Sequence, residues 1–195
     1  GDLAKSVLVN SAEDVYGLVS RKNPLGRGIR FGIAEQNMAM MSAALTQDIL
    51  PGGFKPVSVF GSYAVFSSMM SNSVRLATIG NQLYPENKGF FILLAAHDGP
   101  ETGEDGPTHQ GLFWMSYYDA LPGIKVYKPT DANETIEMLF YALEKGEPIA
   151  LSVTRPDTLV IKREKGVPPA RGAINGAYVY KQFNSPLVPI LDNRG

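Results

Sequence analysis

From about residue 28 to residue 155, short β-type runs alternate with longer helical patterns. Few folds accept this rhythm: it is the pattern of βαβ units wound around a buried parallel sheet. Strands are expected at Ile29–Gly32, Val57–Phe60, Phe90–Ala96, Lys125–Tyr127 and Ile149–Val153. A three-layer α/β/α domain with a mostly parallel sheet follows as the expected fold.

Between the first two strands, Ala34, Met38, Met41 and Leu45 fall at i, i+4, i+7 and i+11. This spacing predicts a helix with one apolar face for the sheet, ended by Pro51-Gly52-Gly53. A second helical pattern is expected from about Ser62 to Gln82. The last crossover opens with Thr130, Asp131 and Glu134, where Thr130 or Asp131 can cap free N–H groups and the acidic side chains suit the positive helix end. Gly146 is placed to close that helix in a left-handed conformation.

Size and charge narrow the function. With 195 residues, 44% of them hydrophobic, the chain can build one good core and a short extension. A net charge of −1 gives no broad basic field, so neither nucleic acid nor an anionic membrane is expected as a partner. There is no cysteine, which excludes disulfides and thiolate metal sites and fits a reducing, cytoplasmic setting. The longest apolar run, Phe90–Ala96, is about a third of a membrane span. The chain opens Gly1-Asp2-Leu3 without an initiator methionine or signal-peptide pattern, and is expected to be an excised piece of a longer protein.

After Arg155 the composition changes. Lys162-Arg163-Glu164-Lys165-Gly166 and then Pro168-Pro169 read as a charged, stiff linker, with strands expected beyond it at Ala177–Lys181 and Leu187–Leu191. The expected division is a domain over residues 1–160, a linker over 161–176 and the incomplete start of another domain over 177–195.

Chemistry is expected after the Phe90–Ala96 strand, in the loop His97-Asp98-Gly99-Pro100-Glu101-Thr102-Gly103-Glu104-Asp105-Gly106-Pro107-Thr108-His109-Gln110, which holds both histidines of the chain. Ligands bind at the carboxyl ends of strands in parallel α/β sheets, so a substrate-binding loop is the preferred reading. A metal site and a merely solvated acidic loop are the alternatives, and the twelve-residue spacing of His97 and His109 offers no helical His-x-x-x-His pair. Glu35, at a helix start just after a strand, is either a charge that complements the helix dipole or a carboxylate facing the site. Tyr63, Phe66 and Met69, at i, i+3 and i+6, are either core packing or a platform. Neither nucleotide-binding glycine spacing nor a G-x-S-x-G elbow is present, which disfavours a dinucleotide oxidoreductase and a serine hydrolase.

Taken in order, Gly32-Ile33-Ala34-Glu35-Gln36-Asn37-Met38, Tyr63-x-x-Phe66, Val74-Arg75-Leu76, the loop from His97 to Gln110 with its Gly103-Glu104-Asp105-Gly106-Pro107-Thr108-His109-Gln110 octapeptide, and Leu151-Ser152-Val153-Thr154-Arg155 resemble the central, pyrimidine-binding domain of the transketolase family. The resemblance covers about residues 28–155, with the tail similar to the start of the family's third domain. It implies a thiamine-diphosphate enzyme of the pentose phosphate pathway that moves a two-carbon ketol unit from a ketose phosphate to an aldose phosphate. The cofactor is then expected at the interface of a homodimer.

By the same resemblance, Glu35 matches the glutamate that hydrogen-bonds a pyrimidine ring nitrogen, favouring the imino form that accepts a proton from the thiazolium carbon. Tyr63 and Phe66, with Met69 in place of a third aromatic, match the pyrimidine pocket. His97 and Arg155 match sugar-phosphate contacts, Asp105 a carboxylate that meets a substrate hydroxyl, and His109 an imidazole close to the reacting centre. Catalytic roles are expected for Glu35 and His109. The Mg2+ or Ca2+ ligands and the diphosphate site, carried in the family by an N-terminal domain with a Gly-Asp-Gly motif, are not among these residues, so the piece alone is expected to be inactive.

Ala34 and Gln36 stand where transketolases usually have arginine and histidine, and Ala34-Glu35-Gln36 is closer to deoxyxylulose phosphate synthase. That enzyme and the β component of an oxoacid dehydrogenase are the alternative enzymes, and a non-catalytic dimerisation module is the alternative of another class. His97 and the Thr154-Arg155 pair favour transketolase.

Overall fold

A computed structural model describes residues 11–101, 105–111, 114–164 and 166–180. Its elements run α1 (Ser11–Tyr16), α2 (Glu35–Thr46), β1 (Val57–Tyr63), α3 (Ser71–Leu83), β2 (Phe90–Ala96), α4 (Trp114–Asp119), β3 (Lys125–Tyr127), α5 (Ala132–Lys145) and β4 (Ile149–Ser152). Short 3₁₀ turns lie at Ala64–Met70, Pro85–Asn87, Pro107–His109 and Ala170–Asn175.

The four strands form one parallel sheet in the order β1-β2-β4-β3. β2 is apolar without alternation because both of its faces are covered. Phe91, Leu93 and Ala95 join Phe60 and Ala150 against Met38, Ala39 and Ala43 of α2, Val74 and Ala77 of α3, and Trp114 and Tyr118 of α4. Ile92 turns the other way with Ile149 and Leu151, onto Leu139 and Ala142 of α5. The expected three layers are present. Asn81 fixes the entry to β2, since its amide donates to Gly89 O at 2.9 Å and accepts from Gly89 N–H at 2.8 Å.

Asp131 is the N-cap of α5: its Oδ1 accepts from Glu134 N–H at 3.0 Å, while Glu134 Oε2 accepts from Thr130 N–H at 2.8 Å. Gly146 closes the helix with φ 63°.

Three expectations are corrected. Ile29–Gly32 is no strand: Gly28 makes an isolated parallel bridge to Leu18, and Gly32 turns the chain with φ 65° before an extended pairing can form. Of the face expected from Ala34, Met38, Met41 and Leu45, α2 buries only Met38, since Met41 and Leu45 are 41% and 39% exposed and Ala34 precedes the helix. Its buried side is Met38, Ala39, Ser42, Ala43 and Thr46, mostly small side chains that let the helix lie close to β1. No helix starts at Ser62. β1 continues through Tyr63 and passes through the Ala64–Met70 turn before α3 begins.

In the tail, the described part of Ala177–Lys181 has one bridged residue, Tyr178; Lys181 and Leu187–Leu191 lie outside the described residues. Among the described residues no helix is long and apolar enough to cross a membrane.

Candidate active site

β1 and β2 run in register, Ser62 beside Ala95 and Tyr63 beside Ala96, so the residues that follow both strands emerge at the same end of the sheet. Four rings meet there. Tyr63 and Phe66 stack with centroids 6.2 Å apart and planes 11° from parallel. This follows from the 3₁₀ turn, in which three residues make a full rotation and i and i+3 eclipse. The turn is held from behind by buried Tyr118, whose hydroxyl donates to Ser67 O at 2.5 Å.

His97 leaves β2 and lies on Tyr63, with centroids 4.1 Å apart. His109 meets both aromatic rings edge-on, 5.8 Å from Tyr63 and 5.2 Å from Phe66. His97 is 9% exposed and adopts φ 54°, the one positive φ of a non-glycine among the described residues. Such a conformation costs on the order of 1–3 kcal/mol and persists where its surroundings impose it.

Glu35 stands at the first position of α2, half-buried, and its Oε1 accepts from Ser62 Oγ at 3.3 Å. The carboxylate is thereby tied to the residue that precedes Tyr63. Arg155, just beyond β4, donates through Nη1 to Asp105 Oδ2 at 2.7 Å. His97 and Arg155 share the wall of a cavity of about 970 Å³ that opens on the α5 side of the sheet, over Ile92, Leu94 and Leu151.

The predicted site residues therefore fall into three parts: the Tyr63, Phe66, His97 and His109 rings, the Glu35 carboxylate held by Ser62, and the Asp105–Arg155 pair, whose arginine lines the same cavity as His97. Met69 is not gathered in. It is 48% exposed, and the side chain buried at the end of that turn is Met70. Sequence reasoning passed over Ser62, Asp98, Lys128 and Ser152. Ser62 and Ser152 are hydroxyls at the carboxyl ends of apolar parallel strands, and that misplaced polarity was the available signal.

A flat aromatic wall, with a carboxylate held by a serine hydroxyl at the same strand end, fits a planar heterocycle with a polar ring nitrogen. Among the described residues, no group of three or more His, Asp or Glu side chains is placed to hold a metal ion.

A parallel α/β domain with its polar groups converging at the carboxyl ends of β1, β2 and β4 is a small-molecule binding domain in kind. The family profile described as "Transketolase, pyrimidine binding domain" matches residues 2–159, and the chain belongs to that family. Among curated proteins, it is 32% identical over 179 residues to the transketolase of Aquifex aeolicus, covering 91% of this chain and 24% of that protein. It is 37% identical over 158 residues to the transketolase of Geobacillus stearothermophilus, covering 79% and 21%. Among solved structures, the transketolase of Pichia stipitis in complex with sedoheptulose-7-phosphate superposes with a TM-score of 0.74 at 26% identity, covering 94% of this chain and 25% of that one. The chain thus spans about a quarter or less of the length of these relatives.

Proposed function

We propose that this chain is the central part of a transketolase, which moves a two-carbon ketol unit from a ketose phosphate to an aldose phosphate with thiamine diphosphate. The observation that carries the reading is the stack of Tyr63 on Phe66 with both histidine rings against it, at the strand end where Ser62 holds the Glu35 carboxylate. When bound, thiamine diphosphate supplies a carbon nucleophile and an electron sink for carbon–carbon cleavage.

The chain's own residues hold and orient. Glu35 hydrogen-bonds a ring nitrogen of the pyrimidine and keeps a proton there, while Tyr63 and Phe66 cover the ring and exclude water. Arg155 offers a planar fork of donors to a sugar phosphate, with His97 beside it. Asp105 accepts from a substrate hydroxyl, and His109 carries a proton to or from the substrate oxygen nearest the reacting carbon.

The diphosphate and its Mg2+ or Ca2+ belong in this reading to an N-terminal domain of the whole protein, and the site is completed at the interface of a cytoplasmic homodimer. Residues 1–160 form the pyrimidine-binding domain, 161–176 the linker, and 177–195 the start of the next domain.

In the full-length protein supplied with thiamine diphosphate and Mg2+, Glu35→Ala is expected to lower ketol transfer by about 10²–10⁴-fold. As a first-turn charge alone, Glu35 contributes only about 0.3–1 kcal/mol to the helix, so the urea midpoint should move little. Proton exchange at the thiazolium carbon is the direct check, and an undiminished exchange rate in this variant would refute the role.

A further inference from the structure

Asp98 directly follows His97, is 4% exposed, and has no part in the chemistry assigned above. Its N–H donates to Val153 O at 3.0 Å. Its Oδ2 accepts from Ser152 Oγ at 2.5 Å and lies 3.5 Å from Lys128 Nζ. Ser152 ends β4 and Lys128 follows β3, so one carboxylate fastens the corner after β2 to the ends of β4 and β3. A charge this deeply buried persists only when paired and hydrogen-bonded, and both conditions are met here.

The other oxygen faces the returning loop. A Cβ on Gly111 would stand 2.6 Å from Ala64 Cβ and 3.0 Å from Asp98 Oδ1. Only glycine lets the backbone two residues beyond His109 cross between the ring-bearing turn and this carboxylate.

We propose that Asp98 is the positioning residue of the site: anchored by Ser152 and Lys128, it holds His97 in its left-handed conformation on Tyr63 and seats the Gly111 crossing that sets His109 against the same ring. The inference rests on the reading of His97 and His109 as substrate-facing groups, yet the anchoring can be tested apart from it. The chain has two histidines, so their ring signals in nuclear magnetic resonance spectra of the 195-residue chain can be assigned with one His109→Gln variant.

In Asp98→Asn and Ser152→Ala, the His97 signal is expected to leave the ring current of Tyr63, and the His109 signal to move with it. Lys128→Met should act in the same direction, and Lys128→Arg should restore the original positions. Folded Asp98→Asn and Ser152→Ala chains with both signals in place would overturn the proposal. Should Asp98→Asn fail to fold, Ser152→Ala and the Lys128 pair decide it, since the Lys128 side chain is 34% exposed and tolerates exchange. In the full-length protein the same variants are expected to raise KM for a phosphorylated ketose on the order of tenfold through His97 and to lower kcat through His109. Displaced signals with an unchanged KM would support the anchoring and count against the sugar-phosphate role given to His97.

Discussion

Arg155 and Arg163 leave the same end of β4 on one continuous segment, and each meets carboxylates that the chain presents far away in sequence. Arg155 pairs with Asp105 beside the candidate site, where the two side chains remain 32% and 27% exposed. Arg163, 14% exposed, pairs with Asp131 at 3.4 Å and Glu134 at 3.1 Å, whose side chains are 0% and 1% exposed. Its Nη1 also donates to Tyr178 Oη at 2.5 Å, and its guanidinium lies 5.8 Å from the Tyr178 ring and 5.7 Å from that of Tyr180. Ile161 N–H adds a hydrogen bond to Asp131 Oδ2 at 2.9 Å.

The same chemistry thus serves two ends. A partly solvated pair is worth about 0–1 kcal/mol, so Arg155 and Asp105 are held in place but can exchange each other for a ligand. A buried network binds its members to one geometry, and here it fastens the tail to the start of α5.

The largest effect is therefore expected at the buried end. Arg163→Met strands two carboxylates in the interior, and the loss should be about 3–5 kcal/mol, read from the urea midpoint of the chain. Arg155→Ala is the counterpart. It should leave that midpoint within about 1 kcal/mol while lowering kcat/KM of the full-length protein for phosphorylated ketoses by about ten- to a hundredfold, with little change toward unphosphorylated ones. If the two variants exchanged phenotypes, the contrast drawn from burial would be broken.

This contrast also marks where sequence reasoning ends. The loop that opens at His97 after Phe90–Ala96 was legible from its strand, and the place of Glu35 at a helix start from helix signals, although the strand expected just before it is absent. The strands Phe90–Ala96 and Ile149–Ser152 were legible because strands buried on both faces are apolar along most of their length, although the second ends a residue before the expected Val153. Arg163 read only as linker charge, since its partner Glu134 lies 29 residues away and already had a complete local explanation at the helix start. The buried side of α2 was misassigned for a related reason: methionine and leucine dominate an apolar pattern, whereas Ala39, Ser42 and Ala43 fill the narrow space beside β1. Met69 was grouped with Tyr63 and Phe66 by spacing, and spacing alone does not say how far a 3₁₀ face stays covered. Asp98 looked like one more acid in an acidic loop, and only the fold brings Ser152 and Lys128 to it.

A smaller effect sharpens the buried end of the comparison. Burial, and after it the hydrogen bond its hydroxyl donates to Glu134, raises Tyr178 above the ordinary tyrosine value of 10.0, against the opposing pull of Arg163. The unfolded chain releases the phenolic proton near that ordinary value and the folded chain keeps it to higher pH. The contribution is hence fully present below the ordinary value and is lost as pH rises through the raised one. Stability measured above pH 10 should fall more steeply with pH in the unaltered chain than in Tyr178→Phe; equal slopes would mean the hydroxyl is not held in the network.

The least effect belongs to a third arginine, in the Ala170–Asn175 turn, which pairs with α5. Arg171 Nη1 donates to Glu137 Oε2 at 3.3 Å, but the two side chains are 55% and 35% exposed. Solvent screens the pair, and the entropy of holding two long side chains offsets most of its attraction. Arg171→Met should shift the urea midpoint by no more than about 0.5 kcal/mol, an order of magnitude less than Arg163→Met. A loss comparable to that of Arg163 would show that the Ala170–Asn175 turn, and not the buried network, fastens the tail to α5, and burial would no longer rank the three arginines.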